Sequence, residues 1–243
     1  MSQVEGRNPV IEALRRGGVT RIILVEGAEG APKIQEITRL AKEMKVHVEF
    51  VERAHLDDIS ETERHQGVVA FMEPPRYASL DEVLSKEEGD VCLLLLDRVQ
   101  DPRNFGAILR TADATGVDAV VIPERGSVGI TSTVIRTAMG GAVHVPVVRG
   151  SLFRVVKRLR DEGVKIVGID PDGTVEYYDE RLTGSIAFVL GGEGRGISQQ
   201  LLGKCDGVVR IPMIGHITSL NVGVSAAVVL YERLRQQVKT RPS

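Results

Sequence analysis

From residue 91 onward, short uninterrupted apolar runs alternate with segments whose apolar residues recur at helical spacing. A strand buried on both faces reads as a continuous apolar run, whereas a half-exposed strand alternates between apolar and polar residues. Such strands in alternation with helices predict an α/β fold, in which a mainly parallel sheet is covered by helices. The predicted strands are Val91–Leu96, Ala119–Ile122, Val143–Val145, Lys165–Ile169, Ile186–Leu190 and Val208–Ile211. The predicted helices are Phe105–Thr115, Ser132–Met139, Leu152–Glu162 and Leu220–Gln237.

The preceding residues predict a separate, smaller α/β unit. Asn8 is expected to cap a helix that has Pro9 in its first turn. The two prolines at 74–75 cannot continue a helix or the interior of a sheet, so a domain boundary is expected there. The strands of this unit are predicted at Arg21–Val25, Val46–Val51 and Gly67–Phe71. The predicted domain organisation is residues 1–73, a linker at 74–88, and residues 89–243.

Composition excludes several classes of protein. No run of the 243 residues approaches the roughly 18–20 apolar residues of a membrane span, and the chain begins without the apolar region of a secretory signal. Two cysteines, Cys92 and Cys205, cannot build a disulfide framework or a zinc site. A net charge of −2 and 4% aromatic residues argue against nucleic-acid binding through overall charge or an aromatic stacking platform. The sequence predicts a cytoplasmic protein without metal or membrane attachment.

Three unusual loops follow predicted strands, where open α/β sheets bind their ligands. The first, Asp97–Gly106, leads into a helix, and the second, Gly191–Gly196, has glycine at four of its six positions. These glycines let backbone N–H groups approach a ligand closely, although their spacing fits neither a Walker loop nor a dinucleotide fingerprint. The third, Ile211–Val224, leads into a helix of small residues that suits either tight internal packing or contact with another subunit.

The polar side chains of the first two loops leave two interpretations open. Asn104 is expected to cap the helix that follows it. Arg110 is either a solvated residue paired with Asp113, or a ligand for a phosphate or hydroxyl that exploits its planar fork of donors. Glu193 either stabilises the dipole of a nearby helix N-terminus or takes part in a site.

The third loop contains three further polar residues of interest. Ser219 is expected to be the N-cap of the last helix. Asn221 lies in the first turn of an otherwise apolar helix and needs a hydrogen-bond partner if it is buried. His216 has no acid or second histidine near it in the sequence, so it is interpreted as a surface residue.

Taken together, the three loops are far more specific than any one of them. The runs DPRNFGAILRTADATGV, GGEGRG and IPMIGHITSLNVGVSAAVVLYE resemble the three signature motifs of the SpoU (TrmH) family, RNA ribose 2'-O-methyltransferases of the SPOUT superfamily. This resemblance covers about Val91 to Arg235. The stretches EGRNPVIEALRRG and HQGVVA resemble the substrate-binding domain of bacterial large-subunit rRNA members, which is similar to ribosomal protein L30e.

The resemblance implies a C-terminal domain with a trefoil knot, a rare exception to normal chain connectivity, and a small L30e-like N-terminal domain. It implies a homodimer that binds S-adenosylmethionine within the knot. The implied activity is 2'-O-methylation of RNA, with a guanosine of the 23S rRNA peptidyl-transferase P-loop as the expected target. A tRNA, another rRNA position, and a non-catalytic RNA-binding role are the alternatives.

The resemblance also implies roles for individual residues. The polar signature residues of the family, which are expected to be catalytic, correspond here to Asn104, Arg110, Glu193, Ser219 and Asn221. The cofactor pocket corresponds to Leu190, Gly191, Gly192, Ile211, Met213, Ser219 and Leu220. Contact with RNA is expected at the one local concentration of basic residues in the N-terminal domain, with a solvated helix end as the alternative: Arg7, Arg15, Arg16 and Arg21. One departure is visible, since Gly223 stands where the family usually has Ser.

A nucleotide-binding oxidoreductase is the rival interpretation from another functional class. Its fingerprint requires a G-x-G-x-x-G turn after a first strand and an acidic residue about 20 positions later. The glycine loop of this chain comes late in the sequence and breaks that spacing. The sequence therefore favours the methyltransferase interpretation.

Overall fold

The computed structural model describes residues 2–62, 64–73, 76–85, 89–139, 141–194 and 196–240. The chain divides into two compact units, Met1–Arg76 and Tyr77–Ser243. An α/β fold with a separate N-terminal unit and a parallel sheet in the second unit is thereby confirmed.

In the part of the chain that the structure describes, the first unit is a four-stranded mixed sheet with three helices. Its elements, in chain order, are β1 (Ser2–Glu5), α1 (Arg7–Arg16), β2 (Val19–Val25), α2 (Pro32–Glu43), β3 (His47–Val51), α3 (Arg53–Ile59) and β4 (Val68–Met72). The strand order is β1-β4-β2-β3, in which β2 and β3 are parallel and β4 is antiparallel to both of its neighbours. The apolar stripe of α2 explains its position, since Ile34, Ile37 and Ala41 are fully buried.

The start of α1 differs from the prediction. Gly6, with φ at 90°, occupies the N-cap position, and the helix begins at Arg7. Asn8 therefore lies inside the first turn, where its Oδ1 accepts a hydrogen bond from Lys33 Nζ at 2.7 Å. The positive φ suits glycine and sets the direction in which the chain enters the helix. The edge strand β1 was not predicted.

The described residues of the second unit form seven strands that all pair in parallel. Its strands are β5 (Cys92–Asp97), β6 (Ala119–Ile122), β7 (Val147–Arg149), β8 (Lys165–Ile169), β9 (Val175–Glu176), β10 (Ile186–Gly191) and β11 (Gly207–Arg210), in the order β7-β6-β5-β10-β8-β11-β9. Its helices are α4 (Leu80–Leu84), α5 (Pro102–Ala114), α6 (Ser132–Ala138), α7 (Gly141–His144), α8 (Leu152–Asp161), α9 (Gln199–Leu202) and α10 (Val222–Thr240).

Successive residues of a strand point to opposite faces of the sheet, and in this sheet both faces are buried. In β5, Leu94 and Leu96 pack into the cluster that contains α5 and α10. Leu93 and Leu95 pack into the cluster that contains α8. The continuous apolar runs of the sequence thus result from a three-layer α/β/α arrangement.

The structure corrects the strand predicted at Val143–Val145. Gly141–His144 form the short helix α7, and the strand at this edge of the sheet is β7. A Cβ on Gly141 would lie 2.5 Å from the carbonyl oxygen of Leu109, so α7 packs directly on the backbone of α5. A short apolar run alone cannot distinguish a strand from a helical turn, and here a tertiary contact decides.

The other predicted strands and helices are confirmed, with ends shifted by up to three residues. The short elements β9, α4 and α9 were not predicted. Helix α4 lies within the predicted linker at 74–88, and its start is fixed by a capping box between Ser79 and Glu82. The prolines at 74–75 lie outside the described residues.

Candidate active site

A cavity of about 500 Å³ opens at the carboxyl ends of three adjacent strands, β10, β8 and β11. The start of α10 closes its remaining side. In a parallel sheet these strand ends share one edge, which is why loops far apart in the sequence meet there. All seven residues predicted to bind a cofactor line this cavity: Leu190, Gly191, Gly192, Ile211, Met213, Ser219 and Leu220.

The glycines of the second loop are required by close backbone contacts. A Cβ on Gly191 would lie 1.9 Å from the carbonyl carbon of Gly196, and one on Gly192 would lie 2.1 Å from the carbonyl oxygen of Arg98. Gly194 and Gly196 have φ angles of 81° and 60°. The loop therefore folds back on itself and against the end of β5, and its glycines present backbone to the cavity.

Asp97 anchors this glycine turn to the neighbouring strand. Its buried carboxylate accepts a hydrogen bond from the backbone N–H of Ser198 at 2.8 Å, and its carbonyl oxygen accepts one from Gly192 at 2.7 Å. Arg98 adopts a φ of 61° and places its Nε 3.2 Å from the Asp97 carboxylate. Sequence reasoning assigned no role to Asp97, although a charged residue at the end of a fully apolar strand was the available signal.

Asn104, Glu193 and Asn221 bring the three loops together in one hydrogen-bonded cluster. Glu193 Oε1 accepts a bond from Asn104 Nδ2 at 2.5 Å and another from Asn221 Nδ2 at 3.0 Å. Asn221 Nδ2 also donates to Asn104 Oδ1 at 3.0 Å. These residues are separated by up to 117 positions in the sequence. The cluster fixes the first turn of α5, the glycine turn and the start of α10 relative to one another.

The residues that cap the N-termini of α5 and α10 differ from those predicted. Asp101, not Asn104, is the N-cap of α5, and its side chain accepts from the backbone N–H of Arg103 at 2.6 Å. Asn221, not Ser219, caps α10, because its Oδ1 accepts from the N–H groups of Gly223 and Val224 at 2.9 and 3.4 Å. Each helix start is displaced from the prediction, which frees Asn104 for the cluster.

Glu193 also differs from the expectation that it lies near a helix N-terminus. It belongs to a turn, and the next helix, α9, begins only at Gln199. At the start of α10, Gly223 takes part in internal packing. A Cβ on Gly223 would lie 3.7 Å from Ala107 Cβ, which places α10 close against α5.

Arg110 lies on α5 outside the cluster. Its side chain is exposed, and its Nη1 lies 3.2 Å from Sδ of Met139, whose own φ is 47°. Within the described residues it forms no ion pair with Asp113 or Glu193, and Asn104 bonds to Glu193 and Asn221 rather than to Arg110. The guanidinium therefore keeps donor groups available to a ligand.

The charges around the cavity are acidic. Asp170 and Glu193 both line it, and no Lys or Arg does so among the lining residues that the structure describes. Asp170 follows β8 directly and starts a turn in which its Oδ1 accepts from the N–H of Asp172 at 3.1 Å. Sequence reasoning missed Asp170, although its place after a predicted strand in the run Asp-Pro-Asp-Gly was a usable signal.

The arginines predicted to bind RNA belong to the first unit and differ in their surroundings. Arg15 contacts Glu12 at 3.4 Å and Glu36 at 2.8 Å, and Arg21 pairs with Glu49, which lowers the pKa of that glutamate through the side-chain hydrogen bond. Arg7 lines a second cavity. The side chain of Arg16 lies outside the described residues.

Several other features are relevant to the site. Among the described residues, no three His, Cys, Asp or Glu side chains are grouped so as to hold a metal ion. None of the helices described is long and apolar enough to cross a membrane. His216 is exposed, as predicted, and burial raises the pKa of the Cys92 thiol from 9.0 to about 12.

Comparison with protein-family models gives two matches, one in each unit. Residues 91–231 match the SpoU rRNA Methylase family. Residues 3–78 match the family described as RNA 2'-O ribose methyltransferase substrate binding. Among curated proteins, one from Staphylococcus aureus (strain COL) named as a TrmH family tRNA/rRNA methyltransferase is 39% identical over 238 residues, which is 96% of each chain.

Solved structures give matches over nearly the whole chain. The SpoU methyltransferase AviRb from Streptomyces viridochromogenes, in complex with AdoMet, superposes with a TM-score of 0.81 at 28% identity, covering 98% of this chain and 91% of the other. An AdoMet-bound rRNA methyltransferase from Sinorhizobium meliloti superposes with a TM-score of 0.78 at 25% identity, covering 97% of this chain and 87% of the other.

Proposed function

The chain belongs to the SpoU rRNA methylase family, and from this premise we propose that it transfers a methyl group from S-adenosylmethionine to the 2'-hydroxyl of a ribose in RNA. The observation that carries the proposal is the cluster of Asn104, Glu193 and Asn221 beside the cavity. It joins the three segments that the sequence alone identified as candidate loops. The match of the first unit to an RNA 2'-O ribose methyltransferase substrate-binding family supports ribose as the acceptor.

The lining of the cavity suits S-adenosylmethionine in polarity and charge. The backbone of Gly191 and Gly192 offers hydrogen-bonding groups, while Leu190, Ile211 and Met213 offer apolar surface for an adenine ring. The carboxylates of Asp170 and Glu193 complement a cationic ligand. When bound, this cofactor supplies a methyl group made electrophilic by the positive charge on its sulfur.

The hydrogen-bonded cluster holds the site in position before substrate binds. Such preorganisation removes most of the entropic cost of aligning an acceptor oxygen with a reactive methyl group. Asn104 and Asn221 together hold the Glu193 carboxylate in place, so its second oxygen can accept a bond from a ribose hydroxyl. Ser219 lies next to this cluster on the cavity wall.

Arg110 supplies positive charge outside the cluster. A guanidinium stays protonated in proteins, so it acts by electrostatic stabilisation rather than by removing a proton. We assign to it the stabilisation of negative charge that develops on the ribose oxygen as the hydroxyl proton passes to solvent water, and contact with a neighbouring phosphate. Its exposed position on α5 leaves it accessible to a large substrate such as RNA.

The finer assignment is a guanosine of 23S rRNA, with tRNA as the alternative. The family description names rRNA, and the rRNA methyltransferase of Sinorhizobium meliloti resembles this chain over both units. The curated relative is named for tRNA and rRNA together, which keeps tRNA in the test. With this assignment we propose a homodimer, a knotted C-terminal domain and an L30e-like substrate domain at residues 1–73, linked through 74–88 to residues 89–243.

Transfer of labelled methyl groups to deproteinised rRNA and tRNA tests the proposal. We expect the wild-type chain to label rRNA at a ribose 2'-oxygen, and the site to be unmethylated in cells that lack the protein and restored by complementation. We expect Arg110→Ala to lose at least about 100-fold in methylation rate, while S-adenosylmethionine still raises its Tm. Near-normal turnover by Arg110→Ala would remove this assignment, and labelling of tRNA alone would replace the rRNA target.

A further inference from the structure

We propose that the first unit binds a phosphate of the RNA backbone in a second cavity, formed by Arg7, Lys33 and Arg53. The inference deepens the proposed function, on which it rests, by placing a contact for the substrate in a particular part of the chain. Arg7 is the first residue of α1, Lys33 the second of α2 and Arg53 the first of α3. Three cationic side chains that are far apart in the sequence thus line the same cavity.

The second cavity has a volume of about 500 Å³ and opens to solvent. Val25, Gln66 and Gly67 complete its described lining, and no carboxylate is among the lining residues that the structure describes. The first unit as a whole has 11 Lys and Arg against 13 Asp and Glu, so its net charge is −2. A concave surface with three cations, and with no acid among its described residues, is therefore not a consequence of overall composition. It is a local concentration of positive charge on a slightly acidic body.

The cations of this cavity differ from other basic residues of the unit in how far carboxylates neutralise them. Arg15, Arg21 and Arg39 each contact a carboxylate closely. Within the described residues Arg7 and Lys33 form no ion pair, and Lys33 Nζ donates instead to the amide oxygen of Asn8 at 2.7 Å. Among the same residues Arg53 has only a contact of 4.0 Å to Asp57, and its side chain is 78% exposed. The positive charge of the cavity remains available to an anion.

Arg7 is held in an orientation suited to recognition of an oxyanion. Its Nε donates to the carbonyl oxygen of Gln66 at 3.0 Å, and its backbone N–H donates to Gln66 Oε1 at 3.3 Å. The contact through Nε fixes the plane of the guanidinium and leaves both terminal nitrogens for a ligand. Two parallel N–H donors match two oxygens of a phosphate group.

The turn that lines the cavity is held in place by contacts of His65 and Gly67. Buried His65 accepts from the N–H of Gly67 at 3.2 Å through Nδ1, and its Nε2 lies 2.8 Å from an oxygen of Asp57 on α3. Gly67 has a φ of 82°, and a Cβ there would lie 2.8 Å from Val25 Cγ1. The glycine keeps the turn close to β2, and the cavity keeps its shape without a ligand.

Measurement of RNA affinity against salt concentration tests the assignment on the full chain. The test variant is Lys33→Ala with Arg53→Ala, both at exposed positions. The matched control is Arg39→Ala with Lys42→Ala, which removes the same charge, one Arg and one Lys, from exposed positions of the same unit outside the cavity. With deproteinised 23S rRNA we expect the test variant to lose roughly tenfold in affinity, and its slope of log affinity against log salt to fall by about 0.7–0.9, the counterion release expected for one phosphate contact. The control keeps both values near those of the wild type.

Two further readouts separate this inference from the proposed function. The rise in Tm caused by S-adenosylmethionine should be equal in all three proteins, and the test variant should show a raised KM for RNA with an unchanged kcat. Methylation by the wild type together with equal RNA affinity in the test and control variants would overturn the cavity and leave the function standing. Absence of methyl transfer by the wild type would end the function, while the binding comparison would still decide the cavity.

A small free anion, such as inorganic phosphate, is the other ligand that could occupy the second cavity through the same contacts. Inorganic phosphate is titrated against wild type and test variant, with Tm as the readout. Stabilisation of the wild type alone by millimolar phosphate, together with unchanged RNA affinity in the test variant, would assign the cavity to a small anion and refute the RNA contact. If phosphate competes with RNA for binding to the wild type and does not compete in the test variant, the result supports the RNA contact.

Discussion

Asn221 has two separable structural roles, and substitution can measure each. Its Oδ1 caps α10 through the N–H groups of Gly223 and Val224, while its Nδ2 joins the loops through Asn104 and Glu193. Loss of an Asn N-cap to Ala costs about 1 kcal/mol. Two solvent-exposed side-chain hydrogen bonds contribute about 0.5 kcal/mol each. Asn221→Ala should therefore destabilise the second unit by about 2 kcal/mol.

Asn221→Ser is the matched variant, since Ser caps a helix as well as Asn but cannot reach both partners of the cluster. Its expected cost is about 1 kcal/mol. For a unit of this size, 1 kcal/mol lowers Tm by about 2–4 °C, so the Ala variant should melt about 4–8 °C lower than the wild type and the Ser variant about half as far.

Thermal unfolding of the full chain, followed by calorimetry, provides the measurement. The transition of the second unit is identified as the one that S-adenosylmethionine raises, because a ligand stabilises only the unit that binds it. An Ala variant that melts with the wild type would refute both roles of Asn221. A Ser variant as unstable as the Ala variant would refute the capping contribution and assign the whole loss to the cluster.

Three further predictions follow from the same structure. Gly192→Ala places a Cβ 2.1 Å from the Arg98 carbonyl oxygen. We therefore expect the free energy of unfolding to fall by about 1–3 kcal/mol in urea unfolding, and cofactor binding to be lost in calorimetric titration. An unchanged midpoint of urea unfolding would contradict the close contact. Asp170→Asn removes one of two carboxylates on the cavity wall and should weaken S-adenosylmethionine binding more than that of a neutral analogue, and equal weakening of both would argue against a charge effect. Burial raises the pKa of the Cys92 thiol from 9.0 to about 12. The stability that the buried, protonated thiol contributes is therefore complete below pH 9 and is lost as the pH rises from 9 towards 12. The thiol of the native protein should resist alkylation at pH 8, and rapid labelling of Cys92 at that pH would refute its burial.

Sequence reasoning predicted the elements of the second unit well because each is a local pattern. Apolar runs such as Ile186–Leu190 need no partner to be recognised as buried strands. The exceptions were short elements, for which the pattern is too brief. Residues 141–144 form a helical turn because Gly141 packs on α5, a contact that periodicity does not encode.

The candidate site was predictable in outline and incomplete in detail. The seven predicted cofactor residues line one cavity, and Asn104, Glu193 and Asn221 meet beside it. Asp170 was missed because its turn resembles an ordinary surface turn. The roles as caps predicted for Asn104 and Ser219 were wrong because several residues near each helix start can cap, and the three-dimensional path of the chain selects one.

The basic residues of the first unit show the same limit more strongly. Proximity in sequence grouped Arg15 and Arg21 with Arg7, yet the structure places glutamates against the first two and gathers Lys33 and Arg53 around the third. Hydrophobic periodicity and glycine spacing are properties of the chain itself, so the α/β fold and the three loops could be read from residues alone. Which charges remain unpaired, and which distant side chains converge, depends on how the helices and strands pack, because electrostatic and hydrogen-bonding partners are chosen by distance in space.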